Sequence, residues 1–334
     1  MHVMQVVLSL RTGGLERVVV DLVNQAGTDF QFTVCCLETA GDWADQVPRV
    51  VTLHKRPGVD WSLFGKLRRL IRQENVHVIH THNAPAHFYG AIAGKLAGAK
   101  VLHTEHGVNV GHEARYARLN RLAAPFTDLT VSVSRWRDDV PVVPNGIHVE
   151  RFARPRPGAG QRVGSVGRLV REKNYPLLIR AVAGIAGAEL VLVGDGPLRA
   201  ELTEAASREN AQQPRVQFLG NHADIPELLA GFDVFVLSST TEGLSIALLE
   251  AMAAGCPIVV TAVGGNTELI EHEVTGLVVP PDDESALRAA IRRLLDDRPL
   301  ANRLGAAAQQ RAREQYSVAA MTRRYKELWR QLAT

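Results

Sequence analysis

The chain of 334 residues has only three cysteines, Cys35, Cys36 and Cys256, and two of them are adjacent in a stretch that reads as a buried strand. That pattern argues against a disulfide framework and predicts a reducing, cytoplasmic setting. No apolar run approaches the roughly 18 residues expected of a membrane span. The opening M-H-V-M-Q-V-V-L-S-L lacks the basic leader and cleavage site of a signal peptide and reads instead as a first strand. The G-x-G-x-x-G fingerprint is missing, which argues against an NAD-dependent oxidoreductase. No nucleic-acid-binding module is recognisable, no short repeat recurs, and no segment is of low complexity.

What the chain does have is a core. Hydrophobic residues make up 46% and charged residues 22%, a globular composition, and the length suits two domains. The formal net charge is only +3, but it is unevenly spread: Arg49 to Arg121 holds twelve Lys or Arg against four acids. Such an excess suits anionic lipid or a phosphate-bearing acceptor, and equally a solvated basic face. Within it, residues 61 to 74 form an amphipathic helix with Leu63, Phe64, Leu67, Leu70 and Ile71 on one side and Lys66, Arg68, Arg69 and Arg72 on the other. It is either a helix packed on a sheet or an interfacial helix that touches a membrane.

Strand and helix patterns alternate along nearly the whole length, which signals parallel α/β domains. The first strand leads into R-T-G-G-L-E-R, where Gly13 and Gly14 let backbone approach a ligand closely. Seven of the twelve histidines lie between His77 and His112, with His80-Thr81-His82 and Thr104-Glu105-His106-Gly107 each following a strand. No cysteine or carboxylate partners are arranged with them as a closed metal site requires, so core, capping or substrate roles are preferred to metal binding. Further on, Arg168 and Lys173 sit on a loop after a strand. Two cations there suit a diphosphate, the arginine as a planar fork and the lysine as a point charge, although surface cations would look the same. In L-V-L-V-G-D-G-P, Gly194 and Gly196 end another strand, and Pro197 is expected to start a helix.

The most informative stretch runs from Ser238 to Ile270. A strand ends at S-S-T-T-E-G, a helix opens near Ser245, and a second strand follows Pro257. Glu242 lies on the loop and Glu250 in the helix, seven residues between them. Carboxylates at a strand's carboxyl end can accept hydrogen bonds from paired hydroxyls, and helix-start N–H groups favour an anion. A loop glutamate and a solvated helix glutamate are the plainer alternative.

Taken in order, these motifs resemble the retaining nucleotide-sugar glycosyltransferases of family 4, across essentially the whole chain. The resemblance implies the GT-B fold: two Rossmann-like parallel-sheet domains facing a cleft, and a final helix that crosses back to the first. The corresponding division is an acceptor-binding domain over residues 1–152, a nucleotide-sugar-binding domain over 153–316, and the crossing helix over 317–334. It also implies a hexosyltransferase that needs no metal or other cofactor and uses a UDP-, GDP- or ADP-sugar as co-substrate. The acceptor would be a glycan or lipid-linked glycan. By the same resemblance, Arg168 and Lys173 stabilise the leaving diphosphate, while Glu242 binds the donor sugar, helped by Gly243, Leu244 and Ser245. Glu250 binds the ribose, and Gly13, Gly14, Gly194, Gly196 and Pro197 line the donor. His106 lies by sugar and acceptor, with His82 and Asn145 (from the V-V-P-N-G-I-H signature) on the acceptor side. Catalytic roles thus fall on His106, Arg168, Lys173 and Glu242. Two departures are visible. Leu244-Ser245 replaces a bulkier pair, and residues 135–143 are too few for the helix usually found there. The start L-S-L-R-T-G-G-L-E-R is similar to members associated with exopolysaccharide assembly, which would suit peripheral contact with an anionic membrane face. A nucleotide-sugar epimerase of the same fold and a catalytically idle binding homologue are the alternatives.

Overall fold

The computed structural model describes residues 1–11, 13–106, 113–134, 139–155, 160–209 and 215–334. Thr12, Gly107, residues 156–159 and the first four residues of the shortened segment 135–143 lie outside them. The chain forms two compact units, Met1–Gly146 with Val318–Thr334, and Ile147–Ser317.

The first unit is a six-stranded parallel sheet in the order β3-β2-β1-β4-β5-β6. Its strands are β1 (His2–Val7), β2 (Gln31–Cys36), β3 (Val50–Thr52), β4 (Val78–Thr81), β5 (Lys100–Glu105) and β6 (Leu129–Ser132). Strands covered on both faces need apolar residues on both, and β1 is buried at every position. Helix α1 (Gly14–Gln25) connects β1 to β2 and packs its Val18, Val19, Leu22 and Val23 on one face of the sheet. Helices α2 (Ser62–Gln73), α3 (Ala84–Ala97) and α4 (Glu113–Ala123) belong to the other half of the unit. Asn83 caps α3 by accepting from Ala86 N at 3.0 Å, and Gly98 ends it in the left-handed region at φ 91°. The apolar stripe of α2 is consumed by packing: Leu63, Leu67 and Ile71 are buried in the core with Met4, Val6 and Ile79. Of the two readings of α2, the helix packed on the sheet is the one the structure shows, and its apolar side is not free to enter a membrane because it is already covered.

In the second unit, another six-stranded parallel sheet has the order β12-β11-β10-β7-β8-β9. Its strands are β7 (Arg162–Val166), β8 (Glu189–Val193), β9 (Arg215–Gly220), β10 (Val234–Leu237), β11 (Ile258–Thr261) and β12 (Leu277–Val279). Helices α5 (Tyr175–Ala183), α6 (Arg199–Glu209), α7 (Ile225–Ala230), α8 (Ile246–Ala253), α9 (Asn266–Leu269), α10 (Glu284–Asp296) and α11 (Arg298–Gln315) accompany it. Two core clusters sandwich the sheet, one with α5 and α10, the other with α8. Pro197 lies in a turn and α6 begins only at Arg199, so the expected helix start shifts by two residues. Leu198 N bonds back to Leu169 O at 3.1 Å and holds that turn outside the helix.

The last helix, α12 (Val318–Ala333), rejoins the first unit. Its Met321, Tyr325 and Trp329 are buried in the core that holds α1, and Trp329 meets Phe30 and Phe32 edge-on at 5.5 Å. The unit boundary falls at 146/147 rather than 152/153. Ile147, Val149 and Phe152 are buried in the second unit's core, and Ile147 N donates to Tyr316 O at 2.9 Å.

Candidate functional site

Both sheets change direction between neighbouring central strands, β1 and β4 in the first and β7 and β10 in the second. Ligands of open α/β sheets bind outside the carboxyl ends of strands at such a point. In the second unit four loops gather there, those that follow β7, β8, β10 and β11. They lock backbone to backbone, which glycine permits. A Cβ on Gly194 (φ 127°) would lie 2.1 Å from Gly167 O, and one on Gly196 would lie 2.4 Å from Leu169 O. A Cβ on Gly264 (φ 44°) would lie 1.9 Å from Glu242 O, and one on Gly265 would lie 2.3 Å from Gly243 O. Sequence alone suggests that Gly194 and Gly196 let a ligand approach; in the fold the close approach is between loops.

Hydrogen bonds complete the lock. Ser238 Oγ donates to Lys173 O at 2.9 Å, Thr240 N to Glu172 O at 2.8 Å, and Thr261 Oγ1 to Ser239 O at 2.6 Å. The result fixes Lys173 beside Glu242. Their side chains form an ion pair, and Ser239 Oγ donates to the same carboxylate oxygen at 2.7 Å. Both groups are largely covered, with side-chain exposures of 18% and 10%. Such a pair is a poor source of net stability, because desolvation offsets attraction, but it is sensitive to the loss of either member. The Arg168 side chain is exposed on the same loop and makes no hydrogen bond or ion pair among the described residues.

Helix α8 starts beside this pair. Ser245 is its N-cap, accepting from Leu248 N at 3.4 Å, while Gly243 is exposed and Leu244 is half-buried. One turn further, the half-buried Glu250 carboxyl is pushed up to about 7 by burial, with Arg151 opposing the shift. The structure thus joins Lys173 to Glu242 directly. Arg168 and Glu250 stand on the adjoining loop and helix without bonding to that pair.

The first unit's switch point is built from different chemistry. His82 lies just beyond β4 and His106 just beyond β5. His82 Nδ1 is 3.0 Å from His106 Nε2, and His82 Nε2 is 2.6 Å from Gln5 Oε1 on β1. Burial holds His80, His82 and His103 well below the ordinary histidine range and brings His106 down to about 4. These rings are therefore neutral at neutral pH. Among the described residues no group of three or more His, Cys, Asp or Glu is arranged to hold a metal ion. Gly13 is the N-cap of α1, and the Glu16 carboxylate lies 2.3 Å from where a Gly13 Cβ would be. Around Gly14 nothing comes within 4 Å of that position. Asn145 Oδ1 is buried and has no partner among the described residues, and it is not bonded to the histidines.

Sequence reasoning passed over Gln5, Ser239 and Arg151. Gln5 carries the clearest signal, a lone polar residue in the middle of the apolar run H-V-M-Q-V-V. Ser239 had none of its own, since serines in a polar turn are common.

Two family models divide the chain between them. Residues 12–151 match the Glycosyltransferase Family 4 model and residues 147–311 match the Glycosyl transferases group 1 model. The chain is 31% identical over 273 residues to the UDP-Gal:alpha-D-GlcNAc-diphosphoundecaprenol alpha-1,3-galactosyltransferase of Escherichia coli, covering 70% of each chain. It is 28% identical over 304 residues to the N-acetyl-alpha-D-glucosaminyl L-malate synthase of Bacillus anthracis, covering 82% of this chain and 79% of that one. In structure it matches Anabaena HepE, solved in complex with UDP, with a TM-score of 0.85 at 23% identity over 99% and 100% of the two chains. That likeness shows a shared GT-B fold.

Proposed function

This chain belongs to glycosyltransferase family 4, and on that premise we propose that it moves a hexosyl group from a nucleotide-diphosphate sugar to a hydroxyl of a glycan or lipid-linked glycan. Transfer retains the anomeric configuration and needs no metal ion. The observation that carries this reading is the Lys173–Glu242 pair, held by Ser239 at the switch point of the second sheet. A largely covered cation and carboxylate side by side suit a ligand that is anionic at one end and rich in hydroxyls at the other. Lys173 and the exposed Arg168 bind the diphosphate, where negative charge grows as the bond to C1 breaks. Glu242 turns to the sugar hydroxyls, and Glu250 accepts from the ribose diol. The acceptor oxygen bonds to C1 on the face the diphosphate leaves, and its proton passes to a phosphate oxygen of the leaving group. On the first unit, His106, His82 and Asn145 serve the acceptor side.

Among UDP-, GDP- and ADP-sugars, a uridine donor is favoured. HepE binds UDP, and the E. coli relative is named for UDP-Gal and a diphosphoundecaprenol acceptor. A lipid-linked acceptor suits a cytoplasmic enzyme working at an anionic membrane face. The surface for it is the tip before α2. Val59 and Trp61 are 52% and 75% exposed beside Arg56, Lys66 and Arg69. Buried Asp60 stiffens the tip, accepting from Arg56 N and Ser62 Oγ at 3.1 and 2.6 Å. Exposed tryptophan next to cations is the composition of an interfacial anchor. No observation favours an epimerase or an idle homologue.

The test is thermal stabilisation by UDP-, GDP- and ADP-sugars, since a ligand of the native state raises the melting temperature. One nucleotide class should shift the wild type and fail to shift Lys173→Ala. If none shifts a folded sample, the donor reading falls. Turnover that survives EDTA, and a product whose anomeric proton keeps the donor's coupling, would support metal independence and retention.

A further inference from the structure

The contacts of Gln5, His82 and His106 decide more than their proximity. The Gln5 amide turns its Oε1 to His82 Nε2 at 2.6 Å and leaves its own buried Nε2 without a partner among the described residues; in that orientation Oε1 accepts, and His82 Nε2 carries the proton. A neutral imidazole has a single N–H. His82 Nδ1 therefore holds a lone pair, and the 3.0 Å contact to His106 is made by His106 Nε2–H. That leaves His106 Nδ1 as an acceptor, and this buried atom has no hydrogen-bond partner among the described residues. A buried acceptor without a donor is unfavourable, so the atom is poised for one that arrives. We propose that Gln5 and His82 are positioning residues that fix the His106 proton on Nε2, so that Nδ1 accepts a hydrogen bond from a hydroxyl of the bound sugar substrate.

The surroundings keep the chain of rings neutral, as the arrangement needs. His80 lies against His82 with ring centres 4.1 Å apart, and Tyr325 of α12 backs His80 at 5.0 Å. His103 adds repulsion to any charge on His82, and Glu105 precedes His106 in the chain. Gln5 itself is fully buried and registers with His80 across β1 and β4, so it cannot swing away. The sugar hydroxyl rests on the glycosyl-transfer reading; the proton positions rest on the Gln5 amide presenting its oxygen to His82.

The experiment is two-bond proton–nitrogen correlation on the whole protein labelled with ¹⁵N-histidine, assigned with His82→Gln and His106→Gln. Both rings should carry the proton on Nε2 at neutral pH. A proton on His106 Nδ1, or a charged ring, overturns the proposal. Gln5→Leu should lower kcat by about tenfold, the worth of one hydrogen bond, with the donor KM little changed. Gln5→Glu, which restores an acceptor, should recover most of that loss and move the acidic limb of the pH–rate profile upward, since a carboxylate favours the charged ring. A Gln5→Leu enzyme with wild-type kcat and tautomers would also overturn it. If Gln5→Leu does not fold, the wild-type spectrum alone decides. Correct tautomers in a protein that turns over no nucleotide sugar would remove the sugar hydroxyl, and the proposal with it, while leaving the proton chain intact.

Discussion

The two sheets have the same topology, yet their switch points are built from opposite chemistry. At β7 and β10 the chain gathers groups that suit charge, a lysine and a carboxylate paired under cover and an exposed arginine with no side-chain partner among the described residues. Between β1 and β4 it gathers imidazoles that burial keeps neutral, with a glutamine behind them. The glycines differ as well. Gly194, Gly196, Gly264 and Gly265 press against neighbouring backbone, whereas Gly14 faces open space. On the proposed function one scaffold would serve two tasks, with charge placed to stabilise a diphosphate and neutral donors and acceptors placed to orient hydroxyls.

The sharpest way to break this contrast is Lys173→Ala. It should reduce kcat by about 10²–10³-fold, the usual effect of removing a group that meets developing charge. Steady-state kinetics would show it, and a loss under tenfold would mean that Lys173 does not face the leaving group. Next in size is Gly264→Ala, which forces a Cβ against Glu242 O from a left-handed backbone. We expect a loss of about 2–3 kcal/mol in urea unfolding. Gly14→Ala should leave stability within about 0.5 kcal/mol while raising the donor KM. Equal losses at both positions would erase the distinction between the two sets of glycines.

Glu250 gives a smaller effect with a definite sign. Its folded-state pKa is raised from 4.5 to about 7, so the folded protein binds more protons than the unfolded chain between those values. Stability contributed by this group is present below pH 4.5, falls as pH rises towards 7, and is flat above. Glu250→Gln should therefore unfold at higher denaturant than wild type at pH 8, by about 2 kcal/mol, and match it near pH 4. In the wild type, donor affinity should weaken below pH 7 as the carboxylate protonates. The smallest effect on the fold belongs to Trp61→Ser. Thermal unfolding should be unchanged, while salt-sensitive co-sedimentation with anionic vesicles declines; no vesicle binding by the wild type would dispose of the membrane contact.

Much of the architecture was readable because its signals are local. Alternating buried strands and amphipathic helices announce parallel α/β units. The candidate residues Arg168, Lys173 and Glu242 were legible as motifs at strand ends. The unit boundary was not, because nothing local to Val149 and Phe152, read as the end of the first domain, says that the second core will bury them. The covered face of α2 was ambiguous for a similar reason, since an apolar stripe does not say what will cover it. Gln5 was hidden because its partner is 77 residues away.

By itself the sequence determined the period of each element, the family and the order of the chemical groups, since these depend on neighbours within a few turns. Tertiary structure alone decided that Lys173 meets Glu242, that four glycines hold loops rather than merely open them, and that His82 stands between Gln5 and His106. Each of those depends on register between strands distant in the chain and on burial, which sets protonation. Neither quantity exists until the sheet has formed.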